Sequence, residues 1–397
     1  MNKLPDGWEI KKLKDILSNE KYSIKRGPFG SSLKKEFFIK EGVKVFEQYN
    51  PINNDPHWCR YRIDKKKYEE LKAFSCRAGD FLISCSGTLG KILLLPDNVE
   101  EGIINQALLK IRLNNKLVDN YYFLNLFQYE DFQKRIYIDA VGSAIHNIAS
   151  VNILKEMEVI IPPLDEQKRI ASALSKIDAY LENTIKLIEE KERFKRGIAK
   201  KLLTCKEGEN IPEARFKGFE GEWETKALNS ISNIKKGEQK NKLDLIADGK
   251  YPVLNGGMNF SGYCNSYNRE ANTITISEGG NAGYVNFIKE KFWSSGHCYT
   301  LHDLKIDKYF LYQCLKNSEK RLMKLQLGTA LKNIRQSEIV EFELNIPKSI
   351  KEQEKIGGYL SLLDAEIDNL KKQKELIKEM KRGAMQKLLS GEVRLLE

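Results

Sequence analysis

The sequence predicts an α+β protein built from two similar globular units and two long helices that pair as a coiled coil. Three observations carry this prediction: an internal repeat through most of the 397 residues, two amphipathic stripes too long for ordinary globular helices, and mixed strand and helix patterns inside each repeat. The parts run 1–160 (globular), 161–205 (helix), 206–345 (globular) and 346–397 (helix).

The repeat comes first. Gly142-Ser143-Ala144 and Asn147-Ile148 recur as Gly328-Thr329-Ala330 and Asn333-Ile334, an offset of 186. That register holds without a gap from Glu166-Gln167 with Glu352-Gln353, through Ile170, Leu174 and Asp178-Ala179 with Ile356, Leu360 and Asp364-Ala365. It continues to Lys195-Arg196-Gly197 with Lys381-Arg382-Gly383 and Lys201-Leu202-Leu203 with Lys387-Leu388-Leu389. Upstream the offset drifts: Trp8, Leu13 and Ile16 match Trp223, Leu228 and Ile231 at 215. Ser84, Gly87 and Gly90 match Ser277, Gly280 and Gly283 at 193, and Asp119 and Tyr121 match Asp307 and Tyr309 at 188. A constant frame carrying loops of variable length explains the drift.

The helices follow from periodicity. Ile170, Leu174, Ile177, Leu181, Ile188, Ile198 and Leu202 recur in steps consistent with one helical face, and Ile356, Leu360, Leu363, Ile367, Leu370, Ile377, Ala384 and Leu388 repeat the stripe. Pro162-Pro163 and Pro347 stand just before each start. Roughly 38 residues span about 57 Å, more than one globular unit covers, so the two stripes are expected to bury each other. Gly197 and Gly383 sit at the same place in both stripes and suggest close helix approach or a local break. In the globular units, Asp80–Ser84, Lys91–Leu95 and Asn272–Ile276 read as strands, while Asp119 and Asp307 are N-caps for helices rich in Tyr, Phe and Leu.

Composition narrows the function classes. A hydrophobic fraction of 41% with 30% charged residues is that of a folded chain, not a disordered one. No apolar run reaches the roughly 20 residues needed to span a bilayer, and the first residues lack the apolar core of a secretory signal, so a cytoplasmic location is expected. The seven cysteines form no Cys-x-x-Cys pair, which points to reduced thiols and not to a zinc site or a disulfide framework. A net charge of +11 suits a polyanionic partner.

Fragments that resemble catalytic motifs fail on chemistry. Asp55-Pro56-His57-Trp58 has histidine where an amino-methyltransferase signature has a second proline, no glycine-rich loop precedes it, and the second copy lacks it; a turn before a strand is the better reading. Asp6 with Glu9-Ile10-Lys11 is too closely spaced for a nuclease metal cluster, and copy two has Gly221 in place of the aspartate. Ser86-Gly87-Thr88-Leu89-Gly90-Lys91 lacks the first glycine of a phosphate loop and is followed by Ile92, leaving a tight turn able to offer backbone N–H groups to a DNA phosphate. His297, Cys298 and His302 read as local polar residues.

Within one chain, segments kept in both copies serve a shared task, whereas divergent ones can read different bases. The divergent stretches are Tyr49–Arg77, with Asn50, Asn53, Asn54, His57, Arg60, Tyr61 and Arg62, and Asn255–Arg269, with Asn255, Asn259, Tyr263, Asn265, Tyr267, Asn268 and Arg269. Arginine suits guanine and asparagine suits adenine in the major groove, so these are the base-reading candidates, with ordinary polar loops as the alternative. Shared basic or amide positions suit the DNA backbone: Lys25 and Arg26 with Lys235 and Lys236, His146 and Asn147 with Lys332 and Asn333, and the turn residues Ser86, Thr88, Lys91 and Asn281.

The order of parts resembles the specificity (S, HsdS) subunit of a Type I restriction-modification system. The resemblance rests on Asp6-Gly7-Trp8, Gly142-Ser143-Ala144, Ile161-Pro162-Pro163-Leu164, Glu166-Gln167-x-x-Ile170 and the helix ending at Lys201-Leu202-Leu203, all repeated from Phe219-Glu220-Gly221-Glu222-Trp223 onward. It implies two target recognition domains joined by antiparallel helices in a pseudo-twofold body. It also implies a target of two half-sites in double-stranded DNA with a nonspecific spacer of about one turn. The partners implied are two modification (M) subunits, which methylate adenine with S-adenosylmethionine, and restriction (R) subunits, which use ATP and Mg2+. This chain itself is expected to bind no cofactor or metal and to catalyse nothing. A self-sufficient methyltransferase or nuclease and a coiled-coil adaptor for proteins are the alternatives.

Overall fold

The computed structural model describes residues 4–137, 148–328 and 332–396. They fall into two compact units, Met1–Asn183 with Glu375–Glu397, and Thr184–Lys374. Each unit holds one globular part, the beginning of one long helix and the end of the other.

In the first unit, a strand at Glu9–Lys12 pairs antiparallel with Glu158–Ile161, the last strand before the first long helix, and so closes the globular part on itself. Between them lie two four-stranded sheets. One has the spatial order Ile24–Arg26, Leu108–Ile111, Phe81–Ser84, Ile92–Leu94, all antiparallel. The other runs Tyr61–Ile63, Val43–Phe46, Gly102–Ile104, Ser75–Cys76, with a parallel pairing at its centre.

The second unit repeats this plan. Glu224–Ala227 pairs with Glu343–Ile346, and one sheet is ordered Asn233–Lys236, Cys298–His302, Thr273–Ser277, Val285–Ile288. A smaller sheet, Gly262–Cys264, Tyr251–Leu254, Trp293–Ser294, keeps the parallel central pairing. At its edge Arg269 and Phe292 form a single antiparallel bridge where Ser75–Cys76 pairs in the first unit, and the chain between Cys264 and Thr273 is shorter than its counterpart, which carries a helix at Lys65–Glu70. Asp119 and Asp307 cap the helices Asn120–Gln128 and Lys308–Asn317, their carboxylates accepting from the N–H of Tyr122 at 2.9 Å and of Phe310 at 2.8 Å.

The long helices are Leu164–Leu203 and Ile350–Leu389, 40 residues each and about 60 Å by helical rise. Both ends keep the offset of 186, so Lys348-Ser349 in place of a second proline does not move the second start. Every position of the two apolar stripes is buried or half-buried. The pairing is antiparallel in each unit. Asp178 meets Lys381 and Glu166 meets Arg394 in the first; Lys191 meets Glu366 and Lys195 meets Asp364 in the second.

The helix ends are built into the cores. Ile170, Leu174, Met385, Leu388 and Leu389 join the first core, and Ala199, Leu202, Leu203, Ile356 and Leu360 join the second. At 0% exposure, Ile170, Leu174 and Leu360 each contribute about 1.5–3 kcal/mol of apolar burial. Gly197 and Gly383 mark neither a break nor a close approach: both helices run unbroken, a Cβ at either position would meet nothing within 4 Å, and nothing in the structure explains the pair.

The duplicated Glu-Gln at each helix start locks the parts together. Glu166 is buried, accepts from the Trp8 indole at 3.0 Å and receives both arms of Arg394 at 2.7 and 2.8 Å. Glu352 is held in the same bidentate way by Arg215 at 2.8 Å. Gln167, fully buried, accepts from the Asp119 N–H and donates to the carbonyls of Leu117 and Pro162; Gln353 accepts from the Asp307 N–H and donates to Pro347. One side chain thus ties the long helix, the strand before it and the capped helix of the globular part.

Two outcomes follow for stability. Gln167→Leu leaves the Asp119 N–H and two carbonyls buried without their partner and should cost about 2–4 kcal/mol in urea unfolding; a loss below ~0.5 kcal/mol would contradict the lock. Burial acts to raise the Glu166 carboxyl, but Arg394 and Trp8 outweigh it and hold it below the ordinary carboxylate value. A group depressed on folding stabilises fully above its unfolded pKa and loses that contribution as pH falls through the folded one. Melting followed from neutral to acid pH should therefore show Glu166→Gln less stable at neutrality and flatter at the acid end than the parent.

Candidate nucleic-acid interface

The basic edge of each unit is built by one strand that stops early. Ile24–Arg26 and Asn233–Lys236 are edge strands, and each runs into a glycine whose N–H still reaches the neighbouring strand, Gly27 to Leu108 O at 2.9 Å and Gly237 to Cys298 O at 2.8 Å. A Cβ at Gly27 would lie 1.8 Å from Asn105 O, and one at Gly237 2.2 Å from Ser295 O, so backbone contact dictates glycine in both copies. Beyond it the chain peels away in a loop.

Lys25 stacks over Tyr22 and Phe74, with its ammonium 5.2 and 5.4 Å from the ring centroids, and Arg26 donates to Cys85 O. Together with Phe29, Ser86 and Lys155 they line a cleft of about 810 Å3. Lys236 donates to Glu278 at 2.6 Å, beside the Tyr299 hydroxyl at 2.8 Å and His297 at 3.5 Å, while Lys235 is exposed. Burial acts to raise Glu278, but Lys236 and Tyr299 outweigh it and keep it below the ordinary carboxylate value.

The turn that resembled a phosphate loop is duplicated in three dimensions. Gly90 N–H returns to Ser84 O at 2.9 Å and Gly283 N–H to Ser277 O at 2.8 Å. Gly87, Gly90, Gly280 and Gly283 all have left-handed φ between 65° and 87°. Thr88, Lys91 and Asn281 are exposed on these turns, and the Ser86 hydroxyl donates to Gln48 Oε1 at 3.4 Å. Lys332 and Asn333 are exposed, whereas His146 and Asn147 lie outside the described residues.

The base-reading candidates divide sharply. Asn50 is buried, and its side chain is consumed by Asp55 O, Trp58 O and the Glu47 N–H at 2.8–2.9 Å, which shape the Asp55-Pro56-His57-Trp58 turn before the Tyr61–Ile63 strand. Arg62 is bidentate to Glu100 and also donates to Gly42 O. Arg269 is spread over Thr300, Asn268 O and Lys236 O, and Asn268 holds both the N–H and the carbonyl of Ser294. The side-chain bonds of these four run within the fold and give Asn50, Arg62, Asn268 and Arg269 a part in shaping these segments.

Asn255 is half-buried with its Oδ1 unpartnered among the described residues. Tyr61 is half-buried, stacked on Phe38 at 4.1 Å, and Tyr267 accepts from Lys291. Asn53 donates back to Tyr49 O, Asn265 accepts the Lys250 N–H, and Asn54, His57, Arg60, Asn259 and Tyr263 present exposed side chains. Sequence reasoning missed Phe29, Gln48 and Glu278; the basic strand end Lys25-Arg26 was the available signal for the loop that carries Phe29.

His302 bonds the Thr300 hydroxyl at 2.8 Å, and Cys298 is buried. No group of three potential metal-ligating side chains occurs among the described residues, and no described helix is long and apolar enough to cross a membrane.

Two units of one plan, each with a basic edge strand and a divergent loop segment, define a duplicated recognition scaffold. The chain belongs to the family of the Type I restriction modification DNA specificity domain, which matches residues 5–190 and 220–379. It is 25% identical over its whole length to a putative type I restriction enzyme specificity subunit of Methanocaldococcus jannaschii, covering 96% of that protein. A putative type I specificity subunit of Mycoplasma pneumoniae is 40% identical over 151 residues, 37% of this chain and 40% of that protein; a second, of Mycoplasma genitalium, is 32% identical over 42% of this chain and 45% of its own length. These two alignments thus span less than half of either relative. The crystal structure of a Type I restriction-modification S subunit from M. genitalium shares the fold, with a TM-score of 0.64 at 22% identity over 98% of this chain and 97% of that one.

The partition of candidates has a direct check. Asn50→Ala should lower stability by about 2–3 kcal/mol, because two carbonyls and an N–H lose a buried partner, while Arg60→Ala should stay within about 0.5 kcal/mol of the parent. Equal melting of the two variants would refute the division.

Proposed function

We propose that this chain is the noncatalytic specificity subunit of a Type I restriction-modification enzyme and reads a bipartite site in double-stranded DNA, one half-site per recognition domain. The observation that carries this reading is that both units keep the same antiparallel four-stranded sheet, caps and basic edge strand, while the segments Tyr49–Arg77 and Asn255–Arg269 differ in length and side chains. A common frame suits phosphate contacts, and different loops suit different bases.

In this reading residues 1–160 and 206–345 are the recognition domains, and 161–205 and 346–397 are spacer helices that set the distance between half-sites. Asn53, Asn54, His57, Arg60, Asn259, Tyr263 and Asn265 are the base-reading set, with Tyr61, Asn255 and Tyr267 in support. Lys25, Arg26, Ser86, Thr88, Lys91, Lys235, Lys236, Asn281, Lys332 and Asn333 hold phosphates, as do His146 and Asn147. Two modification subunits dock on the body, and restriction subunits join them. S-adenosylmethionine, ATP and Mg2+ serve those partners, which work in the cytoplasm. Leu187 and Phe194, one heptad apart, and Leu376 and Met380, one turn apart, remain exposed on the long helices and support protein docking there.

The test is a genome-wide map of methyladenine after co-expression with the modification subunit, which should yield one bipartite motif. Exchange of Tyr49–Arg77 should then change one half-site and leave the other and the spacer intact. Methylation at an undivided short site, or modification by the purified chain alone, would overturn the reading.

A further inference from the structure

Among the described residues the two most exposed large apolar side chains are Phe29, at 87%, and Leu243, at 98%. A single exposed hydrophobe is ordinary on any protein surface. These two are not independent. Each stands in the loop that leaves the basic edge strand, three residues after Arg26 in the first unit and seven after Lys236 in the second, just past the glycine that backbone contact dictates.

The loops differ in length and sequence, yet both hold the apolar residue at a 3-10 turn closed by backbone hydrogen bonds, Phe29 just before Gly30–Ser32 and Leu243 within Lys242–Asp244. In the first unit Ser32 N–H bonds Phe29 O at 2.9 Å; in the second Asp244 N–H bonds Asn241 O at 3.0 Å and Leu245 N–H bonds Lys242 O at 3.2 Å. The second loop is fixed further at its base by Glu238 N–H to Ser294 O and by Lys240, whose ammonium lies 3.6 Å over the Trp293 ring. Cations share both loops: Lys25, Arg26 and Lys155 line the cleft with Phe29, and Lys240 and Lys242 precede Leu243 in its loop, with Asp244 following it. An apolar tip on a firm turn within a cationic edge is matched by a duplex, whose phosphates meet the cations while a base step meets the tip. Phenylalanine and leucine both serve elsewhere as wedges that unstack such steps.

We propose that Phe29 and Leu243 are paired apolar wedges, one per recognition domain, each inserting at a base step of its own half-site and unstacking it. This rests on the specificity-subunit reading. The wedge lowers the cost of extruding a base for modification, since a partner enzyme that acts on a base inside a duplex must first take it out of the stack.

The experiment uses the full chain assembled with its modification subunits. The probe is a duplex carrying the motif from the methylation map, with 2-aminopurine placed at successive positions of each half-site. Binding should raise fluorescence at one step per half-site. Phe29→Ala should remove the rise in one half-site only and weaken binding about ten-fold, Leu243→Ala should remove the other, and Phe29→Trp should restore the first. Both alanine variants should melt like the parent because the side chains touch water. Unchanged fluorescence in variants that still bind, loss of both signals from either single change, or loss of the modification subunit on purification would each overturn the wedge. A parent complex that binds and methylates the motif without any rise sinks the wedge alone; absence of a bipartite motif sinks the specificity reading as well.

Discussion

The fold depends on a buried carboxylate at the start of each long helix. A carboxylate taken out of water needs a full set of donors, and here the principal donor comes from far away in sequence. Arg394, 228 residues from Glu166, follows the end of the second long helix; Arg215, 137 residues from Glu352, follows the end of the first. Each unit therefore joins the beginning of one long helix to the segment that follows the end of the other. The adjacent glutamine extends the same constraint into the globular part, because it satisfies the backbone where the capped helix begins.

That constraint explains why the register of 186 is held from Glu166 to Leu203 while upstream offsets drift. Helix residues face three groups at once: the partner helix, the core of their unit and the buried ion pair. An insertion of one residue would turn the stripe by about 100° and break all three contacts. The loops between sheet strands carry no such obligation. Their length changes from one copy to the other with no disturbance to strand order; the first unit gains a helix, and its Ser75–Cys76 strand stands where the second unit has the single Arg269–Phe292 bridge.

The same polar chemistry serves two masters in those loops. Irregular backbone leaves carbonyls and N–H groups that need partners, and asparagine and arginine are the residues best able to supply them. Asn50, Arg62, Asn268 and Arg269 are used in this way, and they stiffen the segments from which Arg60, His57, Asn54 and Asn259 project. Rigid loops lose less entropy when their exposed side chains are ordered against a ligand.

The sequence by itself determined whatever depends on spacing along the chain: the duplication, the two helical stripes, the aspartate caps, the glycine turns and the strands near them. These are local regularities, set by the 3.6-residue and two-residue periods and by hydrogen bonds closed within a few residues. Tertiary structure alone decided which polar side chains are spent inside the fold and which face outward. It also decided which arginine answers each buried glutamate, and that Phe29 and Leu243 stand uncovered at matching edges. Exposure and pairing depend on what the rest of the chain brings alongside, and residues more than a hundred positions apart leave no periodic trace of their meeting.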